Sequence, residues 1–326
     1  MNAIHLQETS GIDALSHEEV PRPEPEQNEL VIRAHAAGVN PLDWLICRGV
    51  LPHLRDTELP WIPGWDVSGV VEAVGSGVSE FAPGDAVCGM ARLPGGGGAY
   101  AEYITVTADE ITAKPSSLSH LEAAGMPMAG QTAFHALYEA GNLSQGQDVL
   151  VHAAAGGVGH MAVQFAANTG AHVIGTASGR NEAFLRDIGV DEFVNYRKEQ
   201  FEDEVNDVDL VVDTVGGDVL ERSVKITRPG GIVVTLPEPP SEAGIERYRE
   251  EYGVEVRFLI SYSNQIQQHC NRSSSMPNRE SSSQESPTHI HCPKYRMHLR
   301  GVPTGMCVGS LPSILLAKTM TNRSPI

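Results

Sequence analysis

Cysteine is scarce in this chain of 326 residues, which has five cysteines and no closely spaced pair. That usage favours neither a disulfide framework nor a zinc knuckle. Long apolar runs are also lacking, because the most apolar stretch, residues 149–167, is interrupted by His152, His160, Gln164 and glycines. It is therefore a poor membrane-span candidate. The N-terminus has no basic start or apolar core typical of a signal peptide. By elimination, we expect a soluble cytoplasmic protein with no membrane partner.

Basic side chains are few in residues 1–260, where 39 acidic residues stand against 16 lysines and arginines, a net charge of −23. Such a body repels phosphate, which argues against nucleic-acid or anionic-membrane partners. The excess also resembles the surfaces of proteins from salt-loving organisms, because salt screens the self-repulsion. An ordinary acidic bacterial protein is the alternative interpretation.

Residues 261–326 have the opposite charge, with seven basic and two acidic residues and a net charge of +5. They contain no Asp, carry serine triplets at 273–275 and 281–283, and show no sustained helical or strand period. This composition is typical of disorder. We predict a first domain at 1–118, a second at 119–260 and an atypical tail at 261–326 without regular structure beyond about residue 264. A reading-frame change near residue 260 is one explanation.

Two hydrophobic patterns divide the rest of the chain. Short strands separated by Gly/Pro turns are predicted at 30–36, 67–75, 81–87 and 99–106, which favours a compact β-barrel. A helix is predicted at 121–140, ending near Gly141-Asn142. Strands at 148–153, 172–176, 210–213 and 231–236 then alternate with helices at 158–169, 181–188 and 219–226. That alternation predicts an α/β domain with a doubly wound parallel sheet.

The strongest motif follows the strand at 148–153 and opens an apolar helix. It matches G-x-G-x-x-G, with Ala154 at the first glycine. Gly156 would let the backbone approach a pyrophosphate, and Gly159 would let the helix pack closely on the strand. The helix start supplies unpaired N–H groups and partial positive charge. A purely structural turn is the alternative. We expect a dinucleotide at Ala155, Gly156, Gly157, Val158 and Gly159.

The end of the next strand indicates which dinucleotide is bound. An NAD site usually has an acid there for the ribose 2′-hydroxyl. This chain has Ser178 and Arg180 instead, and an arginine forms a charge-assisted bond to a 2′-phosphate. The pattern favours NADPH, although Arg180 as a solvated loop residue is an alternative.

These residues and the segments at 38–44, 63–69, 98–103, 213–217 and 229–231 resemble the zinc-free quinone oxidoreductase and zeta-crystallin branch of the medium-chain dehydrogenases/reductases. The resemblance covers about residues 1–260. It implies a GroES-like β-barrel domain followed by a Rossmann domain. In zinc-dependent relatives a Cys stands near Asn40 and a His stands at Trp65, so we expect no bound metal. Cys47 and Cys88 are better interpreted as buried apolar residues.

The resemblance also implies roles for single residues. Asn40 would lie near the nicotinamide and donate to a developing oxygen anion, or simply cap a turn before Pro41. Trp44 would form an apolar wall of the cleft, or belong to the core. Further cofactor contacts are expected at Thr132, Tyr196 and Val215. Asp43, Asp66 and Asp213 are interpreted as structural hydrogen-bonders, which leaves solvent or a ribose hydroxyl as the proton donor.

A metal-free site needs an acceptor that takes hydride with little help, such as a quinone or an activated α,β-unsaturated carbonyl. We therefore expect an NADPH-dependent reductase of such small molecules, and the resemblance allows a homodimer. Two alternatives are an enoyl-thioester reductase and a crystallin-like protein that binds NADPH with little turnover.

Overall fold

The structure is a computed structural model that describes residues 1–50, 58–92 and 95–259, together with the backbone of three short strands beyond residue 289. The chain divides into two compact units. One contains residues 1–128 and the strands described beyond residue 289, and the other begins at Ala129.

The first unit is built from antiparallel strands. β3 lies at its centre, with β4, β5 and β7 following on one side and β6 on the other, while β1 and β2 form a separate antiparallel pair. The elements are β1 (Asn2–Leu6), β2 (Leu15–Glu19), β3 (Glu29–Gly38), α1 (Pro41–Cys47), β4 (Asp66–Val74), β5 (Ala86–Met90), β6 (Tyr103–Thr107), β7 (Ile111–Ala113) and α2 (His120–Ala124). The β-rich fold predicted for the first part of the chain is confirmed.

One face of these strands forms the core of the first unit. In β6, Ile104 and Val106 are buried while their neighbours are partly exposed, which is the alternation expected of a strand packed on one side. They pack with Ile32 of β3 and with Val67 and Val71 of β4.

The second unit is a six-stranded parallel sheet with helices between its strands. Its elements are α3 (Pro127–Phe134, which begins in the first unit), a π-helical turn (His135–Ala140), β8 (Asp148–Val151), α4 (Gly157–Thr169), β9 (His172–Ala177), α5 (Glu182–Asp187), β10 (Glu192–Asn195), α6 (Phe201–Glu204), β11 (Val208–Asp213), α7 (Asp218–Ile226), β12 (Thr227–Thr235), α8 (Glu242–Tyr252) and β13 (Glu255–Phe258). The strand order is β10-β9-β8-β11-β12-β13. This is the Rossmann order, with its switch point between β8 and β11, and it confirms the predicted α/β class.

The strand β11 shows why this sheet forms. All six of its residues are buried, which is typical of a parallel strand covered on both faces. Val211 packs in one cluster with Leu150 of β8, Val233 of β12 and Val224 of α7.

The single helix predicted at 121–140 is wrong. The chain forms α2, breaks at Gly125-Met126, and restarts as α3 at Pro127. The residue before a proline is disfavoured in a helix, while proline itself suits a first helical position. The helical segment ends at Ala140, and Asn142 is left-handed with φ 52°, a conformation common at helix C-termini.

Three short strands are described in the tail. β14 (Ile290–Cys292) pairs antiparallel with β15 (Tyr295–Met297), and β16 (Val308–Gly309) pairs with Ala37 and Gly38 of β3. The expectation of no regular structure is not met at these residues, and the rest of the tail prediction lies outside the described residues. Within the described ranges, no helix is long and apolar enough to cross a membrane.

Candidate dinucleotide site and buried carboxyl cluster

The loop between β8 and α4 has the close packing that its glycines predict. A Cβ at position 159 would lie 2.3 Å from the Ala153 carbonyl oxygen and 2.8 Å from the Ala154 Cα. Only glycine therefore allows α4 to approach the loop this closely. Gly156 is the N-cap of α4 and is exposed, and among the described residues a Cβ there would meet only the Ala153 oxygen, at 3.0 Å. The space beside Gly156 is otherwise open to a ligand.

The turn itself is made one residue earlier than the motif suggests. Ala153 has a left-handed backbone with φ 45°, whereas Ala154, at the first glycine position of the motif, is buried and donates its N–H to the Thr176 carbonyl oxygen at 2.9 Å. A non-glycine residue in this region is strained.

A buried histidine that the sequence analysis missed holds the start of this loop. The His152 Nδ1 lies 3.1 Å from the Thr176 hydroxyl, and Nε2 lies 2.9 Å from the Ser223 hydroxyl. Burial lowers the pKa of His152 to about 3, so the ring is neutral. The Thr214 hydroxyl also donates to the His152 carbonyl oxygen at 2.8 Å, which connects the loop to the end of β11.

The predicted cofactor residues of neighbouring strands lie at one edge of the sheet. Ser178 and Tyr196 follow Ala177 of β9 and Asn195 of β10, which are register partners. Val215 follows β11, the neighbour of β8 on its other side. Tyr196 and Val215 are about half exposed. The carboxyl ends of parallel strands meet at this edge, where open α/β sheets bind ligands.

Ser178 and Arg180 differ in their surroundings. Ser178 is buried, and its hydroxyl accepts a hydrogen bond from the Asn181 side chain at 3.3 Å. Arg180 is exposed in the following 3₁₀ turn (Gly179–Asn181), and no ion pair with it is found in the described part of the chain. Its guanidinium is therefore open to an anion. Thr132 lies in α3 and is buried.

In the first unit, Asn40 is the N-cap of α1 and forms a capping box with Asp43. The Asp43 carboxylate accepts the Asn40 backbone N–H at 2.6 Å. The Asn40 side-chain Nδ2 donates to the Asp66 carboxylate at 2.9 Å. Asn40 therefore has the capping role that the sequence analysis left as an alternative, and its side chain is also hydrogen-bonded to Asp66 of β4. Trp44 is 39% exposed and lies under the Arg48 guanidinium at 4.9 Å, so it does not belong to the core.

Asp43 and Asp66 are both buried, and burial raises the pKa of each to about 7. Hydrogen bonds oppose that rise: Asn40 and Met128 donate to Asp66, and Asn40 and Tyr100 lower the pKa of Asp43. The Asp43 Oδ1 accepts no hydrogen bond within the described residues. These carboxyls therefore hold or release a proton near neutral pH.

Comparison with known proteins agrees with both units. Residues 26–116 match the family model "Alcohol dehydrogenase GroES-like domain" and residues 157–249 match "Zinc-binding dehydrogenase". The chain is 36% identical to 2-methylene-furan-3-one reductase of Solanum lycopersicum over 270 residues, which are 80% of this chain and 69% of that protein. The chain belongs to the medium-chain dehydrogenases/reductases, in their quinone-oxidoreductase-like branch.

Two further relatives of this branch are informative. The quinone-oxidoreductase homolog of Spinacia oleracea chloroplasts is 40% identical over 192 residues, and the match covers 57% of this chain and 58% of that protein. The chain thus spans under two thirds of that relative's length. The Escherichia coli quinone oxidoreductase solved with NADPH is 27% identical with a TM-score of 0.71, and covers 80% of this chain and 81% of that one.

Zinc, which one matching family model names, does not fit the positions that hold it in zinc-dependent members. Asn40 offers an amide, and Trp65 is a fully buried indole. Within the described ranges, no group of three or more His, Cys, Asp or Glu side chains is arranged to hold a metal ion. Burial raises the pKa of Cys47 and Cys88 to about 11, so neither is a thiolate at neutral pH.

A nicotinamide dinucleotide does fit this quinone-oxidoreductase-like chain. The open space at Gly156, the start of α4 and the exposed Arg180 offer donors and positive charge at one edge of the sheet. Asp213 is used structurally, because it accepts the Val215 and Gly216 N–H groups at 2.9 Å and the Thr235 hydroxyl at 3.2 Å.

Proposed function

We propose that the protein is an NADPH-dependent, zinc-independent reductase of quinones and activated α,β-unsaturated carbonyls. The observation that carries the proposal is Arg180, an exposed cation without an ion pair in the described chain, beside Ser178 and with no acid in that turn. A 2′-phosphate would accept hydrogen bonds from Ser178 and Arg180, whereas a 2′-hydroxyl would give the Arg180 guanidinium no charged partner.

The cofactor is held mainly by backbone. Ala155, Gly156, Gly157, Val158 and Gly159 would contact the diphosphate, whose charge is favoured at the start of the 13-residue helix α4. Tyr196 and Val215 would line the same edge of the sheet, and Thr132 would contact the nicotinamide. When bound, NADPH supplies a hydride.

Two features indicate the class of substrate: zinc ligands are missing at Asn40 and Trp65, and Asn40 offers a hydrogen-bond donor. Without a Lewis acid near Asn40 and Trp65, the acceptor must delocalise the arriving electron pair itself, as quinones and enones do. Negative charge then develops on the carbonyl oxygen of the substrate, to which the Asn40 side-chain N–H would donate a hydrogen bond. Trp44 would cover the apolar part of the substrate. The relatives named for quinones and for a methylene-furanone support this substrate class.

The test is to measure the oxidation of NADPH and of NADH with a panel of quinones and enones, using the loss of cofactor absorbance as the readout. We expect turnover with at least one acceptor class, and NADPH binding at least tenfold tighter than NADH binding, about 1.4 kcal/mol. We also expect no stoichiometric zinc by elemental analysis and no loss of rate with a chelator. NADPH binding without turnover of any acceptor would favour the crystallin-like alternative.

A further inference from the structure

Asp66 connects the start of β4 with two other elements. It is 1% exposed, and each of its carboxylate oxygens accepts one hydrogen bond. Oδ1 accepts the backbone N–H of Met128, in the first turn of α3, at 3.0 Å, and Oδ2 accepts the Asn40 Nδ2 at 2.9 Å. The carboxylate thus satisfies two donors that lie 62 and 26 residues away in sequence.

The two donors differ in their freedom. The Met128 N–H belongs to the backbone, so it can only donate. The Asn40 carboxamide can rotate, so that either its NH₂ group or its oxygen faces Asp66. A carboxylate accepts at both oxygens, so it requires Asn40 to present its nitrogen. Asp66 itself has little room to move, because a Cβ at Gly38 would lie 2.8 Å from the Asp66 Cβ and 3.0 Å from Oδ2.

We propose that Asp66 is a positioning residue for the reaction, whose carboxylate fixes the orientation of the Asn40 carboxamide so that a second N–H remains available to the substrate oxygen. The inference rests on the proposed function for its catalytic consequence. The orientation of Asn40 is a separate claim that can be measured without turnover. Asn40 is partly exposed, as a group that meets a substrate must be.

Protonation of Asp66 reverses the arrangement. A proton on Oδ2 makes that oxygen a donor, so Asn40 must turn its own oxygen toward it and its N–H groups move away from their former direction. The proposed activity therefore rises with pH as Asp66 ionises, and its pKa of about 7 places that limb near neutrality.

Other ionisable groups lie near Asp66 and must be separated from it. Asp43 on α1 raises the pKa of Asp66 and has a similar pKa. Among the described residues, Cys88 on β5 and Tyr100 before β6 also interact with Asp66, and Cys47 on α1 interacts with Asp43. Burial raises the pKa of each of these three groups above its ordinary value. The two carboxyls therefore titrate as a pair, and Asp43→Asn isolates the part that belongs to Asp66.

The decisive variant is Asp66→Asn. An amide has a single acceptor oxygen for two donors, so it bonds to Met128 and turns its own N–H₂ toward Asn40, which must invert or lose its partner. We expect kcat to fall at least tenfold, the KM for NADPH to stay within twofold, and the rise of activity with pH to disappear. Asp209→Asn is the matched control. Asp209 is also buried and accepts a backbone N–H, from Asp148 at 2.8 Å, but it lies at the start of β11. That variant should keep the wild-type kcat and pH profile.

The second readout uses full-length protein labelled with ¹⁵N-asparagine, with Asn40→Ala identifying the Asn40 side-chain signals. We expect those signals to shift between about pH 5 and about pH 9 with the midpoint of the Asp66 titration, and not to shift in Asp66→Asn. Asn40 side-chain signals whose positions do not change with pH in the wild type would overturn the inference, even if Asp66→Asn failed to fold. An active wild type whose Asp66→Asn variant keeps its kcat and pH profile would also overturn it. An inactive wild type would defeat the proposed function but leave the measurement of Asn40 intact.

Discussion

The loop at 153–159 and the carboxyl cluster of Asn40, Asp43 and Asp66 are held by different means. The loop depends on backbone shape, because one glycine allows a close approach and another leaves open space. The cluster depends on the two buried carboxylates, because Asp43 accepts the backbone N–H of Asn40 and Asp66 accepts a side-chain N–H of Asn40. The loop should therefore respond to changes in residue size and hardly to pH, while the cluster should respond to pH.

The largest effect is expected from Gly159→Ala, which tests the loop as a matter of shape. The added methyl group would meet the Ala153 oxygen at 2.3 Å, and relieving such overpacking costs about 3 kcal/mol or more. We expect a large fall in melting temperature and loss of NADPH binding by calorimetry. Gly130→Ala is the control, because a Cβ there meets nothing within 4 Å and alanine suits a helix. Similar melting temperatures for both variants would contradict the packing argument.

Asp43→Asn tests the cluster as a matter of charge. The pKa of Asp43 rises from 3.8 to about 7 on folding, so its stabilising contribution is complete below about pH 4 and is lost as pH rises through 7. Asparagine keeps an acceptor for the Asn40 N–H and has no proton to lose. We expect a gain on the order of 4 kcal/mol above pH 7, with little change near pH 4, in chemical unfolding.

The control for that experiment is Asp85→Asn, because Asp85 is exposed and its carboxylate accepts only the Ala82 N–H in the described structure. We expect its pH profile of stability to follow the wild type. A gain from Asp43→Asn that is equal at pH 4 and pH 8 would show that buried charge is not the cause.

Arg180→Ala tests whether the edge of the sheet recognises a phosphate. Its loss should reduce the preference for NADPH over NADH by about tenfold, or about 1.4 kcal/mol, in titrations of both cofactors. Arg186→Ala is the matched control, since Arg186 is exposed and already paired with Glu182 at 3.0 Å. An unchanged cofactor ratio in Arg180→Ala would remove the basis for assigning NADPH.

The smallest effect should come from Ala153→Gly. Glycine adopts φ 45° without the strain that alanine has there, although it also gains freedom in the unfolded chain. The balance favours a net stabilisation of about 0.5 kcal/mol in thermal unfolding, with NADPH affinity unchanged. A loss of stability would mean that the left-handed turn at Ala153 is not strained.

Much of the fold could be predicted because its signals are local. The pattern of strands and helices after residue 148 predicted the parallel sheet, and the glycine motif predicted where α4 begins. The break before Pro127 was missed because helical spacing continues across it, although the proline itself was a usable signal. His152 was missed because its partners, Thr176 and Ser223, lie 24 and 71 residues away.

The sequence by itself determined the layer architecture, the glycines that α4 requires and the absence of an acid between the end of β9 and Asn181. These properties depend on residue identity and short-range spacing. Only the tertiary structure decided that Ala153 adopts the left-handed turn, and that Asp43 and Asp66 are buried with pKa values of about 7. Burial and hydrogen bonding of these carboxyls depend on contacts among α1, β4 and the start of α3. These elements are far apart in the sequence, so no local pattern of residues predicts the contacts.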